Sequence, residues 1–561
     1  MFHEIRRLGS SYCFDRSKEK LTRATPVIPT IARDLSERDP QMRYTLSNAI
    51  AQDSALITSD DLLEQFRRLI VEPADQLAIS GPIVIVIDAL DECDACERSS
   101  LLSVLKNEEQ QKALPPNFRI LVTCRPEHDI MNGLGKAACV NAKSMTDVDE
   151  STNRSDIDVY VCDRLPQSLF EAWDLPVLRT KIVDSSEGLF QWAATACRFL
   201  VDDTVELPVK QRMDILSGEA ARNLDELYSQ VLQSAFRSVY PQARDNFRRV
   251  MSLVLVAAEP LSVNALQHIL CRNDGLDHEV LGSVLKRMGA LMSGTDGTDI
   301  VVRPLHTSFR DFILDRKRSG EFSVAPGIEQ HGDFARGTLQ MLSERLRINM
   351  CKLETSYRLN TDYPDLEERV RKNIPSSLVY SARYWADHLE EMAYNSALLQ
   401  MAERLLKDKF LFWLEVLSLL GSVSTCASAL LKLKEWIPKD TAEGPETVSI
   451  IEDFLKFIRA FGVVIGSSAP HIYLSAVPFA PARSQVRQLY ESKLPRTATV
   501  VCGGSSEWPT LECTMDGDDN VLCAEFSDDG KHIFFVSLGS SCCTIHIVMS
   551  ALPPSPQRET S

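Results

Sequence analysis

The chain has 561 residues, 44% of them hydrophobic and 25% charged, with a formal net charge of −17. That length outgrows a single hydrophobic core, so roughly three or four domains are expected. The acidic balance argues against a phosphate backbone or an anionic membrane surface, which excludes nucleic acid from the expected partners.

Strand and helix patterns alternate through residues 1–150. Residues 8–14 (Leu-Gly-Ser-Ser-Tyr-Cys-Phe) read as a strand, and a helix follows near residues 29–36. Residues 59–71 put Leu62, Leu63, Phe66, Leu69 and Ile70 on one helical face. Five aliphatic residues at 83–87 (Ile-Val-Ile-Val-Ile), bounded by Gly81-Pro82, predict a strand buried on both faces of a parallel sheet. Asp88, Asp91 and Glu92 follow at its C-terminal end, where open α/β sheets place their ligands. Three carboxylates crowded there repel one another unless a cation or partner compensates. Cys93 and Cys96 have no second pair at a metal-binding spacing and read as ordinary thiols. The 15 cysteines follow no regular framework and no secretory segment opens the chain, which fits reduced thiols and a cytoplasmic location. A helix at 97–107 and an apolar strand at 118–124, ending in Arg125-Pro126, complete a doubly wound pattern.

Beyond residue 155 helical periodicity dominates, over 157–165, 178–201 and 223–239. Residues 240–318 read as helices followed by a short β-element at 300–302, with the turn 294–299 suited to a small wing. Residues 326–490 form a leucine-rich helical block containing Trp385, Trp413 and Trp436. Its uncharged run at 416–431 carries four serines and one threonine; too short and polar to span a bilayer, it reads as a core helix. After a basic, proline-punctuated link at 493–496, residues 521–527, 533–537 and 544–548 read as short strands, and the tail 553–561 as disordered.

Two strand ends now converge. In a doubly wound sheet, Asp88, Asp91 and Glu92 share an edge with Thr123-Cys124-Arg125-Pro126. A carboxylate for Mg²⁺ beside an arginine for a terminal phosphate is a nucleoside-triphosphate arrangement. The segments 85–93 (Ile-Val-Ile-Asp-Ala-Leu-Asp-Glu-Cys) and 119–126 (Arg-Ile-Leu-Val-Thr-Cys-Arg-Pro) resemble the NACHT family of signalling NTPases, most closely the fungal group in which a NACHT module precedes WD repeats. The likeness implies ATP or GTP with Mg²⁺ as cofactor. It implies Asp88 near the metal, Asp91 and Glu92 as catalytic groups near the hydrolytic water, and Arg125 near the γ-phosphate. Residues 187–193 resemble the helical segment after NACHT, and residues 260–262 and 306–312 the family's winged helix. There His306 is the candidate for a histidine that reaches the bound diphosphate, although a hydrogen-bonded structural histidine is the equal alternative. Residues 384–388, 410–416 and 470–475 are similar to the helical linker of those fungal proteins, though by themselves these aromatic runs read as core packing. Residues 521–536 and 543–548 are similar to one WD-type blade whose Trp-Asp pair is replaced by Val548-Met549.

The fold implied is α/β plus α: an incomplete doubly wound P-loop NTPase sheet, then helical and winged-helix domains, then a C-terminal β remnant of a WD-type propeller. The boundaries expected are 1–150, 151–239, 240–325, 326–490 and 491–561. No Gly-x-x-x-x-Gly-Lys-Ser/Thr loop occurs; Gly133-Leu-Gly-Lys-Ala137 is a decoy, since it follows the Arg125 strand and has no hydroxyl after its lysine. The likeness places that loop upstream of residue 8, so the sequence reads as truncated at both ends, with a gap in its sheet and exposed edges. Two functions follow: a nucleotide-dependent switch or self-associating module with impaired nucleotide binding, or a nonenzymatic scaffold for protein partners. A third reading is a fragment of a larger intact NACHT/WD-repeat protein; by itself the chain is expected to bind nucleotide weakly or not at all.

Overall fold

A computed structural model describes residues 7–16, 21–53, 56–57, 59, 61–75, 81–135, 137–144, 150–166, 175–204, 207–216, 221–236, 241–271, 276–295, 297, 299–438, 444–494, 498–509, 520–526, 532–538 and 543–549. The chain is mostly helical with a small parallel sheet, and it divides into two compact units, Met1–Ala476 and Val477–Ser561.

The first unit opens with three parallel strands in the order β1 (Leu8–Cys13), β2 (Ile83–Asp88), β3 (Phe118–Val122). The aliphatic run makes β2 the central strand, with Ile85 opposite both Ser10 and Ile120, and with Ile85 and Ile87 almost fully buried. Parallel neighbours need long crossovers, and helices supply them. Val27–Arg38 and Pro40–Gln52 lie between β1 and β2, and Ala95–Leu105 and Glu108–Ala113 between β2 and β3. The expected gap is not found between these strands. β2 is paired along both edges, and the strand edges left without a strand partner among the described residues are the outer ones of β1 and β3. Leu121 on β3 is 48% exposed.

Several local features differ from the sequence reading. Pro40–Gln52 buries only Met42 and Leu46, too sparse a stripe to show as periodicity; its start is set by Asp39, whose carboxylate accepts the N–H of Gln41 and Met42, with Pro40 at the first helical position. The helix expected over 59–71 starts at Leu62 and passes into a π-helical turn at Arg67–Val71, which keeps Phe66, Leu69 and Ile70 buried. The helix expected over 178–201 is two, Leu175–Ser185 and Phe190–Val201, because Glu187 and Gly188 both take positive φ. The segment 223–239 forms the helix Leu224–Ala235, capped by Asn223. The decoy glycine Gly133 ends the helix His128–Gly133, while Lys136 lies outside the described residues.

Helices Val263–Leu270 and His278–Lys286 precede a small antiparallel pair, β4 (Met292–Ser293) and β5 (Arg303–Pro304). The expected β-element at 300–302 therefore pairs slightly later, with Val301 forming an isolated bridge to Ser262. Gly294 turns the hairpin at φ +68°, where a Cβ would stand 2.4 Å from the Val301 carbonyl oxygen. Thr307–Leu314 follows directly.

Five long helices then build the largest core: Ile328–Arg345, Ser376–Glu390, Ser396–Leu419, Ser424–Trp436 and Gly444–Ser467. Trp385 and Trp413 are fully buried with ring centroids 5.6 Å apart, edge to face. The run 416–431 is only partly buried, with Gly421, Ser424 and Ser428 exposed, and it is not one helix: the chain turns at Gly421, with φ +63°. Gly337 lets Ile328–Arg345 approach Val263–Leu270 so closely that a Cβ would meet the Ile269 carbonyl oxygen at 2.2 Å.

The second unit holds the short helix Gln485–Tyr490 and three antiparallel strands, β6 (Asn520–Phe526), β7 (His532–Leu538) and β8 (Cys543–Met549), paired in chain order. The three strands expected from the sequence are these. Pro495, Arg496 and the tail 553–561 lie outside the described residues.

Candidate functional site

At the C-terminal edge of the sheet the chain leaves β2 through Ala89, a non-glycine residue in the left-handed region at φ 55°. That conformation costs on the order of 1 kcal/mol or more and needs support from its surroundings. Thr123, just beyond β3, provides it: its hydroxyl accepts the Ala89 N–H at 3.0 Å and its carbonyl accepts the Leu90 N–H at 2.9 Å. The same hydroxyl donates to Asp88, whose other oxygen accepts the Cys13 thiol from the end of β1 at 3.4 Å. Burial first, then the bond to Asp88, pushes the Cys13 thiol up to about 11, so it stays protonated and donating at neutral pH. Asp88 itself is exposed. It is a carboxylate presented to solvent at a strand end, tied by two neutral donors.

Asp91 and Glu92 are placed differently. The 3₁₀ turn Leu90–Glu92 carries both inward, to 3% and 9% exposure. Asp91 accepts the Arg125 backbone N–H at 3.1 Å and lies 3.4 Å from its Nε. Glu92 accepts the Arg16 backbone N–H at 3.0 Å. Burial, reinforced by Asp91, raises the Glu92 carboxyl above the ordinary range. A folded-state pKa above the unfolded one means that the folded chain holds this proton more tightly. The stability contribution is then lost as pH rises from the ordinary carboxylate range through the raised value. Glu92→Gln, which still accepts a hydrogen bond, is expected to unfold at a higher temperature than wild type at pH 7.5, by a margin that closes towards pH 4; a constant margin in differential scanning fluorimetry would contradict this.

Arg125 reaches across to a distant part of the same unit. Its guanidinium donates to Asp311 and to the Thr307 hydroxyl, both on the helix Thr307–Leu314, while keeping Asp91 on its other side. Arg16 bonds the Asp91 carbonyl, lies 3.4 Å from Glu127 and 3.9 Å from Asp311, and its own carbonyl accepts Arg310 at 2.9 Å. Arg98 is 4% exposed and joins the Asp91 carbonyl to Glu127 and Asp129. Four arginines (16, 98, 125, 310) thus meet carboxylates 88, 91, 92, 127, 129 and 311, with Asp15 also beside them, and carboxylates outnumber arginines at this edge.

His306 caps the helix Thr307–Leu314. Its Nδ1 accepts the Ser308 N–H at 3.1 Å, so the ring proton sits on Nε2. His306 is exposed, and its partial burial, then the Arg125 charge, lowers its pKa, which favours the neutral ring. The structure therefore brings Asp91, Arg125 and the His306 helix together. Asp88 stands apart on the exposed side, and Glu92 points to Arg16.

The donor set fits part of a magnesium nucleotide. An exposed carboxylate on a net acidic edge suits a divalent cation, and Arg125 suits a terminal phosphate. The three segments that form this edge, residues 13–16, 88–94 and 123–127, contain no glycine and offer no glycine-rich cradle for further phosphates. Among the described residues no group of three or more His, Cys, Asp and Glu is placed to hold a metal by itself. The sequence reading missed Arg16, Arg98, Arg310 and Asp311. The charged pair Arg310-Asp311 inside an otherwise apolar helix was the available signal, whereas nothing local distinguishes Arg16 or Arg98.

Comparison with known proteins gives two likenesses. Residues 3–125 match the family described as Nephrocystin 3, N-terminal. The chain is 25% identical over 516 residues to the vegetative incompatibility protein HET-E-1 of Podospora anserina, across 87% of this chain and 36% of that protein. It thus spans about a third of the length of that relative. Together these support a NACHT-like fungal protein. No solved structure matches the chain. No helix among the described residues is long and apolar enough to cross a membrane.

Proposed function

We propose that residues 1–325 are the switch region of a NACHT-type signalling protein, in which ATP or GTP with Mg²⁺ controls self-association or contact with protein partners. In this reading residues 1–150 are the partial NACHT domain, 151–239 a helical domain and 240–325 a winged-helix domain. Residues 326–490 are a helical linker, and 491–561 a single degenerate WD-type blade. Asp88 is the Mg²⁺ ligand, Asp91 and Glu92 address the hydrolytic water, and Arg125 and His306 address the phosphates. The protein acts in the cytoplasm.

The observation that carries this reading is the Arg125 bridge. Asp311 and Asp91 each take one contact from the guanidinium, and a terminal phosphate would compete with them for the same side chain. Nucleotide state would thereby be coupled to docking of the Thr307–Leu314 helix. Asp311→Asn is expected to open that contact about fivefold more often, since losing one partly exposed charge partner costs on the order of 1 kcal/mol. Limited proteolysis and analytical ultracentrifugation of the 561-residue chain would show faster cleavage and a shifted self-association; wild-type behaviour in both would count against a switch.

A nonenzymatic scaffold is the second reading, favoured by the burial of Asp91 and Glu92 against protein donors. The 561 residues contain no Gly-x-x-x-x-Gly-Lys-Ser/Thr, so this polypeptide by itself is expected to bind nucleotide weakly. Micromolar affinity in a mant-ATP titration, or hydrolysis above background that Asp88→Ala abolishes, would reject the scaffold.

A further inference from the structure

The helical block contains a cavity, lined by none of the sheet-edge residues, of about 260 Å³, just under the roughly 300–1,000 Å³ of drug-sized sites. Its walls include Ile348, Leu353, Ala469, Pro470 and Leu474, and Glu415 also lines it. Glu415 sits mid-helix in Ser396–Leu419 at 4% exposure. Its carboxylate accepts the N–H of Asn349 at 3.0 Å, the N–H of Met350 at 2.9 Å and the Tyr473 hydroxyl at 2.6 Å. Asn349 holds a left-handed conformation at φ 51°, so the bonds to Glu415 shape the loop that forms this wall.

These three donors are neutral, and no ion pair to Glu415 forms among the described residues. Three cations of this region are engaged elsewhere. Lys409 donates to the Leu346 carbonyl at 2.9 Å, Arg369 is held by Glu354 and Asp365, and Arg358 lies over the Tyr363 ring. A buried carboxylate with neutral partners is costly to ionise, and burial duly raises its pKa. A carboxylate offers roughly four acceptor positions, of which three are used. Around the cavity, Ile348 and Leu474 leave 49% and 39% of their surface in solvent, an apolar rim above a charged wall.

We propose that this cavity binds a small organic cation, an ammonium group on an apolar stem, with Glu415 as its countercharge. The cation supplies the missing charge and the fourth hydrogen bond, while its stem covers Ile348 and Leu474. A purely structural Glu415 would need the three donors only and would show no preference for a charged ligand.

The test is isothermal titration of the full chain with phenethylammonium and with its neutral isostere 2-phenylethanol. Saturable one-to-one binding is expected, with the amine about tenfold tighter, the size of one added charge-assisted hydrogen bond. Glu415→Gln should bring the amine down to the affinity of the alcohol. Leu474→Trp, at the rim and away from the carboxylate, should weaken the amine by about as much, and it decides the matter if Glu415→Gln does not fold. Equal affinities in wild type, no binding of the amine, or a Leu474→Trp protein that binds it as wild type does would each overturn the proposal.

Discussion

Arg98→Ala is expected to destabilise the first unit by roughly 3 kcal/mol, the loss of two or so hydrogen bonds made by a charged donor. Arg98 is 4% exposed and donates to the Asp91 carbonyl at 2.8 Å, to Glu127 at 2.7 Å and to Asp129 at 2.8 Å. Burial works against its charge, but the two carboxylates outweigh burial and raise its pKa, so the cation stays in place at any working pH. Their side chains remain 34% and 45% exposed and can recover water once the arginine is gone. The loss therefore falls at the low end of the roughly 3–5 kcal/mol of a fully buried pair. Arg98→Lys should rescue only part of it, because an ammonium cannot span a carbonyl and two carboxylates at once. Urea unfolding checks this through the first transition midpoint. An unmoved midpoint would mean that the Leu90–Glu92 turn does not depend on this arginine.

Trp413→Ala should cost about 3–5 kcal/mol, the range for emptying a large aromatic site in a packed core. Trp413 is fully buried, meets Trp385 edge to face at 5.6 Å, lies 6.2 Å from Phe410, and donates from its indole N–H to the Ala382 carbonyl at 2.8 Å. Three helices converge on these rings, Ser376–Glu390, Ser396–Leu419 and, through Phe410 on Phe454, Gly444–Ser467. Trp413→Phe keeps an aromatic ring and loses the hydrogen bond, so it should cost less than half as much. Circular dichroism at 222 nm against urea reads both variants. A loss below about 1 kcal/mol for Trp413→Ala would show that the cavity collapses rather than persists.

The parts of the fold that were legible in the sequence share one property: their signal is local. The aliphatic run at 83–87 announces β2 because a strand buried on both faces must be apolar at every position. Residues 118–122 announce β3 by a shorter apolar run that Arg119 interrupts, and the paired strands 520–526, 532–538 and 543–549 show as separate apolar runs. Elements that rest on capping or a few contacts were not legible. Pro40–Gln52 has only two buried residues, and the turn at Gly421 interrupts a run whose composition continues unbroken. The break at Glu187-Gly188 is similar, since one left-handed pair splits a continuous apolar periodicity.

At the candidate site the same division holds. Asp88, Asp91, Glu92 and Arg125 stood out because carboxylates and arginines at strand ends are chemically conspicuous, and His306 only through the family resemblance of its segment. Their relations did not. Asp88 exposed and Asp91 buried, three residues apart, follow from the left-handed Ala89, which redirects the chain before the 3₁₀ turn. The pairing of Arg125 with Asp311 joins residues 186 positions apart. The sequence by itself determined which side chains are available and that an apolar strand carries them to a sheet edge. Only the tertiary structure decided which charges meet, because ion pairing depends on distances between segments that no local pattern encodes.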